Sequence, residues 1–211
     1  MNHENRLRVT NTVSIISAII NLLLGVGKIT IGYLGRSQAL IADGLHSLSD
    51  LLSDGLVIIA AHFGAKAPDS EHPYGHRRVE TIATILIAII LSMVAIEISI
   101  ININHLLHHT ALPRPSHWVL LTALISSLMN ELLFQYAHHM GKKVHSKLLI
   151  ANAWHSRGDA LSSLVVLIGA GGAYLGYPIL DPITAILIAF WIGWIAVKMI
   201  LASCNELIDA A

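Results

Sequence analysis

Apolar residues fill six long blocks of this chain, separated by short clusters rich in Gly, Pro, Lys and Arg. The blocks fall at roughly 11–34, 38–62, 79–104, 117–140, 146–175 and 180–204. Each reaches the ~20 residues that an α-helix needs to cross a bilayer. The breaks carry turn chemistry: Gly35 before Arg36, the AKAPDSEHPYGHRR stretch, PRPS at 113–116, GKK at 141–143 and GYP at 176–178. The pattern predicts an all-α membrane protein, a six-transmembrane-helix bundle. Blocks two and five carry the most charged residues, three each, as expected of helices that face a polar interior.

Composition supports this. The chain is 55% hydrophobic and 12% charged, against about 25% charged in soluble domains. The distribution of Lys and Arg sets the topology. With six spans, Arg6, Arg8, Lys66, Arg77, Arg78, Lys142, Lys143 and Lys147 fall on one side, and only Arg36 and Arg114 on the other. Both termini are therefore expected in the cytoplasm, and the location is expected to be the cell (inner) membrane, crossed several times. MNHENRLRV is polar and the apolar stretch after it is long enough to span, so no cleavable signal is expected. A formal net charge of zero argues against a nucleic-acid partner. The single cysteine, Cys204, can form no internal disulfide.

Inside these apolar blocks lie two His-x-x-x-Asp pairs, His46/Asp50 in IADGLHSLSDLL and His155/Asp159 in NAWHSRGDALSS. An acid near the centre of a membrane helix costs about 2.5–3.5 kcal/mol on insertion scales, so such groups call for a partner. Residues four apart share one helix face. Two facing helices would then supply two imidazole nitrogens and two carboxylates, a tetrahedral set that suits Zn²⁺. A lone pair of this kind is as readily structural, but the same spacing on two spans favours a metal site. Asp43 and Asp54 share the second span and read equally as an approach path for cations or as partners for Arg157 or Lys28.

The break after the second block holds Asp69, His72 and His76, a possible three-ligand site with Glu71 beside it, or simply a polar loop. His105, His108, His109 and His117 cluster in the opposite loop, and His138, His139 and His145 flank the GKK turn. Irregular spacing favours solvated histidines in both groups. Glu97 and Glu131 are hydrogen-bonding or ion-pair candidates before they are ligands. The chain has no H-E-x-x-H and no G-x-x-x-x-G-K-[ST], so neither an intramembrane zinc protease nor an ATP-driven pump has its signature, and no enzyme is expected. A haem bundle with His46 and His155 as axial ligands leaves the Asp at each i+4 position without a role.

SQALIADGLHSLSDLLSDG, EHPYGHRRVETIA and LIANAWHSRGDALSSL, in this order, resemble the cation diffusion facilitator family of divalent-metal transporters. The resemblance covers nearly the whole chain. It implies a homodimer that exports cytosolic metal in exchange for protons, with the transport site on the second and fifth helices. The transport-site positions fall on His46, Asp50, His155 and Asp159. A His rather than an Asp at position 46 resembles the zinc-preferring type, so Zn²⁺ is the expected cargo, with Fe²⁺, Cd²⁺ or Mn²⁺ as alternatives. A non-transporting membrane metal sensor is the reading from another class. The loop zinc site of some members falls on Asp69, His72 and His76. The family usually continues into a cytoplasmic ferredoxin-like domain, whereas this chain stops at NELIDAA. A single transmembrane domain over residues 1–211, without that cytoplasmic domain, is therefore expected.

Overall fold

A computed structural model describes the backbone of residues 3–64, 77–108 and 114–207, with side chains at most of these positions. Asp69, His72, His76 and Glu71 lie outside the described residues, as does the side chain of Asp54. Six helices are present among the described residues: α1 (His3–Leu34), α2 (Gln38–Gly64), α3 (Arg77–Leu107), α4 (His117–Lys143), α5 (Lys147–Tyr174) and α6 (Leu180–Leu207). Each coincides with one apolar block to within a few residues, apart from an eight-residue extension of α1 at its start.

The side chains are distributed inside out. Leu23, Leu86, Ile168 and Phe190 are among many large apolar residues left exposed, while Lys28, Asp43, Asn102 and Asp159 are buried. Such a surface suits lipid rather than water. α1, α3, α4 and α6 each contain a stretch long and apolar enough to cross a membrane, so this is a multi-pass membrane protein. The interior is packed with small residues, including Ala39, Ala42, Ala88, Ala95, Ala123, Ala170, Ala185 and Ala189. Small side chains let membrane helices approach closely, where dispersion replaces the missing hydrophobic drive.

α1 pairs closely with α2, α4 with α5, and α3 with α6, and α2 also packs on α5. The first two pairs are copies of one hairpin. Ser17/Ser126, Asn21/Asn130, Gly32/Gly141, Ser37/Ser146, Leu40/Leu149, Ile41/Ile150, His46/His155, Ser47/Ser156 and Asp50/Asp159 are all 109 positions apart. The shared residues build the same turn. Arg36 and His145 both have positive φ, 58° and 51°. Ser37 accepts from Leu40 N, and Ser146 from Leu149 N, capping the next helix. A Cβ on Gly32 would stand 2.9 Å from Ile41 N, and one on Gly141 would stand 3.1 Å from Ile150 N. A Cβ at Gly32 would collide with that nitrogen, and one at Gly141 would force its neighbour to give way. The copies run in opposite directions: Gly35 O accepts from Ser116 N at one end of the bundle, and Val13 packs with Ala137 at the other. Inverted repeats of this kind place their binding site where the copies meet.

Candidate metal site

α2 and α5 bring the two His-x-x-x-Asp pairs together midway along the bundle. One ligand atom each from His46, Asp50 and Asp159 lies within 4.8 Å of the others. Asp50 is the hub: its Oδ2 is 3.6 Å from His46 Nε2 and 3.4 Å from His155 Nε2. That oxygen is buried and accepts no hydrogen bond. A carboxylate oxygen in such surroundings, faced by two imidazoles, is chemically suited to a cation. His155 stands at the edge of the trio with its side chain 43% exposed. It borders a cavity of about 590 Å³ that His46, Trp154, Asp159, Leu187 and Trp191 also line. This cavity links the ligand atoms to the α5–α6 face.

Asp43 does not belong to a cation path. Its carboxylate meets Lys28 Nζ at 2.8 Å with both side chains buried. Ser162 and Ser163 donate to its two oxygens at 2.5 and 3.0 Å, and Lys28 also donates to Ser47. The network ties α1, α2 and α5 together on the Gly35 side of the ligand cluster. Arg157 turns away from Asp43 toward α4. Its Nε is 3.9 Å from Glu131, and its guanidinium lies over Phe134 and Trp154 at 4.6 and 5.4 Å. Glu97 is exposed on α3. His138 is half-buried and stacked on Phe134 at 5.3 Å, so it is no solvated histidine. His108, His117 and His139 are exposed, as expected.

Two further features escaped the reading of the sequence. Asp181 at the start of α6 accepts from Ser37 Oγ and from the backbone N of Gln38 and Ala39, and so covers the N-terminus of α2. The oxygens Ser17 Oγ, Asn21 Oδ1, Ser126 Oγ and Asn130 Oδ1 are all buried without a hydrogen-bond partner. The available signal was the repeat, which carries Ser17 onto Ser126 and Asn21 onto Asn130.

Ionisable side chains gathered between two opposed hairpins of a membrane bundle are an arrangement suited to a carrier of cations. The chain belongs to the cation efflux family, matching its transmembrane domain over residues 14–208. This is a family of transporters rather than enzymes, and the one expected from the motifs. The chain is 37% identical over 201 residues to an uncharacterized transporter of Methanocaldococcus jannaschii, a match covering 93% of this chain and 69% of that protein. It is 34% identical over 215 residues to the manganese efflux system protein MneP of Bacillus subtilis, covering 98% and 71%. With metal tolerance protein C1 of Arabidopsis thaliana the identity is 35% over 202 residues, covering 89% of this chain and 43% of the plant protein.

Proposed function

We propose that this chain crosses the cell membrane six times with both termini in the cytoplasm, and exports a divalent metal cation, Zn²⁺ foremost, in exchange for protons. The observation that carries this is the meeting of His46, His155 and Asp159 around Asp50, whose buried oxygen has no other partner. Two carboxylates neutralise a divalent ion and two neutral imidazoles complete its coordination, which lowers the cost of holding it within the bilayer. Metal binding needs deprotonated ligands, so loading releases protons and acid on the far side drives unloading. Differential affinity for metal in the inward and outward forms supplies the population shift.

Residues 1–211 act as one transmembrane domain, and the working unit is a homodimer. Asp69, His72 and His76 serve as an accessory capture site. Manganese is the second reading, favoured by the relative in Bacillus subtilis that is named for manganese efflux. Proteoliposomes with an imposed pH gradient, offered Zn²⁺, Mn²⁺, Fe²⁺ and Cd²⁺ in turn, test the function. Binding without flux of any metal would make the chain a sensor instead.

A further inference from the structure

We propose that Asn21 and Asn130 are a third pair of donors at the transport site, expanding it toward six-coordinate cations such as Mn²⁺. The inference deepens the transport reading above and rests on its assignment of the site to His46, Asp50, His155 and Asp159.

Four observations place the two amides at the site. First, both carbonyl oxygens are buried and accept no hydrogen bond, and the Asn130 residue is only 2% exposed. A buried polar atom without a partner is costly, and in a polar setting it points to water or an ion. Second, Asn130 is level with Asp159. On α4 it sits between Ser127, which donates to Ala160 O at 2.9 Å, and Glu131, which pairs with Arg157. Those two partners bracket Asp159 on α5.

Third, Asn21 is level with Asp50. Lys28 on α1 meets Asp43 on α2. Asn21 and Asp50 each lie seven residues from that contact on their antiparallel helices, toward the same end of the bundle. Seven residues is two helical turns, about 10 Å, so both return to the same face. Fourth, the two asparagines are equivalent. Each hairpin of the repeat contributes one Asn from its first helix and one His and one Asp from its second: Asn21, His46 and Asp50, then Asn130, His155 and Asp159.

Together these residues offer two nitrogens and four oxygens around one pseudo-twofold axis. Octahedral, oxygen-rich shells suit Mn²⁺, whereas Zn²⁺ is content with the tetrahedral His and Asp set. The amides act directly or through a bound water, and add no charge, so a divalent ion stays neutralised. Ser17 and Ser126, one turn from each Asn and likewise unpartnered, are placed to hold the amides or such a water in position.

The test uses the whole chain in proteoliposomes with Asn21→Leu, Asn130→Leu and the double substitution, which keep the forked outline of the side chain but remove the oxygen. Mn²⁺ flux is expected to fall about tenfold or more in the double variant, while Zn²⁺ flux changes less than about threefold. Asn130→Asp, which restores an oxygen, should keep Mn²⁺ flux. Loss of both metals in equal measure, or of neither, would overturn the proposal. X-ray absorption compares the Mn²⁺-loaded wild-type protein with the double variant. A four-donor shell, or a six-donor shell that the double variant leaves unchanged, overturns the assignment, and a shell that loses oxygens in that variant supports it. Wild-type vesicles that move no metal would refute the transport reading, and the coordination measurement would still decide on the asparagines.

Discussion

Lys28 and Asp43 face each other across the α1–α2 contact at 2.8 Å, with 0% and 1% of their side chains exposed. Breaking such a pair by removing one partner leaves a buried charge uncompensated, at a cost of about 3–5 kcal/mol. Lys28→Met and Asp43→Asn should each lower the thermal midpoint in detergent, and the double variant should recover much of the loss. If the two losses simply add in the double variant, the pair is not energetically coupled.

Asp50→Ala and Asp159→Ala should each abolish metal transport while the protein still folds. Under the proposed assignment each removes a ligand and one of the two charges that neutralise the cation, and a methyl group costs the bundle little. Size-exclusion profiles report folding, and vesicle flux reports function. Wild-type flux in either variant would dismantle the four-ligand assignment.

His46→Asp should shift the site toward Cd²⁺ or weaken its preference for Zn²⁺. The change replaces a directional nitrogen with an oxygen and adds negative charge. His46 is buried against Asp50, so the new carboxylate meets another directly and draws a cation more strongly. The ratio of Zn²⁺ to Cd²⁺ flux measures the effect, and an unchanged ratio would remove His46 from selectivity.

Metal affinity should fall as pH drops, since protons compete for the imidazole nitrogens and a ligating imidazole must be free of its proton. The sign is fixed by competition: more protons mean less metal bound. Calorimetry in buffers of differing ionisation enthalpy would count the protons released on Zn²⁺ loading. Heats that do not vary with the buffer, together with flux indifferent to a pH gradient, would describe a facilitated channel instead of an antiporter.

The helices were legible because their signals are local. Apolar blocks of spanning length and the glycine-bearing breaks at Gly35 and at GKK 141–143 all act within a few residues. The His-x-x-x-Asp spacing was legible for the same reason, since one helix face is fixed by the 3.6-residue period. What escaped depends on which helix comes to stand beside which. Asp43 shares a face with Asp50 by spacing alone, and only the approach of α1 reveals that Lys28 occupies it. Arg157 looks equally ready for any acid until α4 brings Glu131 and Phe134 alongside. The pairing of Asn21 with Asn130 was open to view as a fixed offset. It went unseen because only scattered positions match, at a distance of half the chain.

Two opposed copies of one hairpin make a scaffold with no up or down of its own, since turning it over exchanges one copy for the other. The copies nonetheless differ, and a structural difference between the two ends of the repeat has to reside where they do. The repeat carries Lys28 onto Ala137 and Asp43 onto Asn152, so the buried ion pair exists in the first hairpin alone. It joins α1, α2 and α5 in the half of the bundle nearest Gly35, whereas the other half carries the Arg157–Glu131 pair between α5 and α4. The two halves are thus told apart by which helices their ion pairs join, α1 to α2 in one and α4 to α5 in the other.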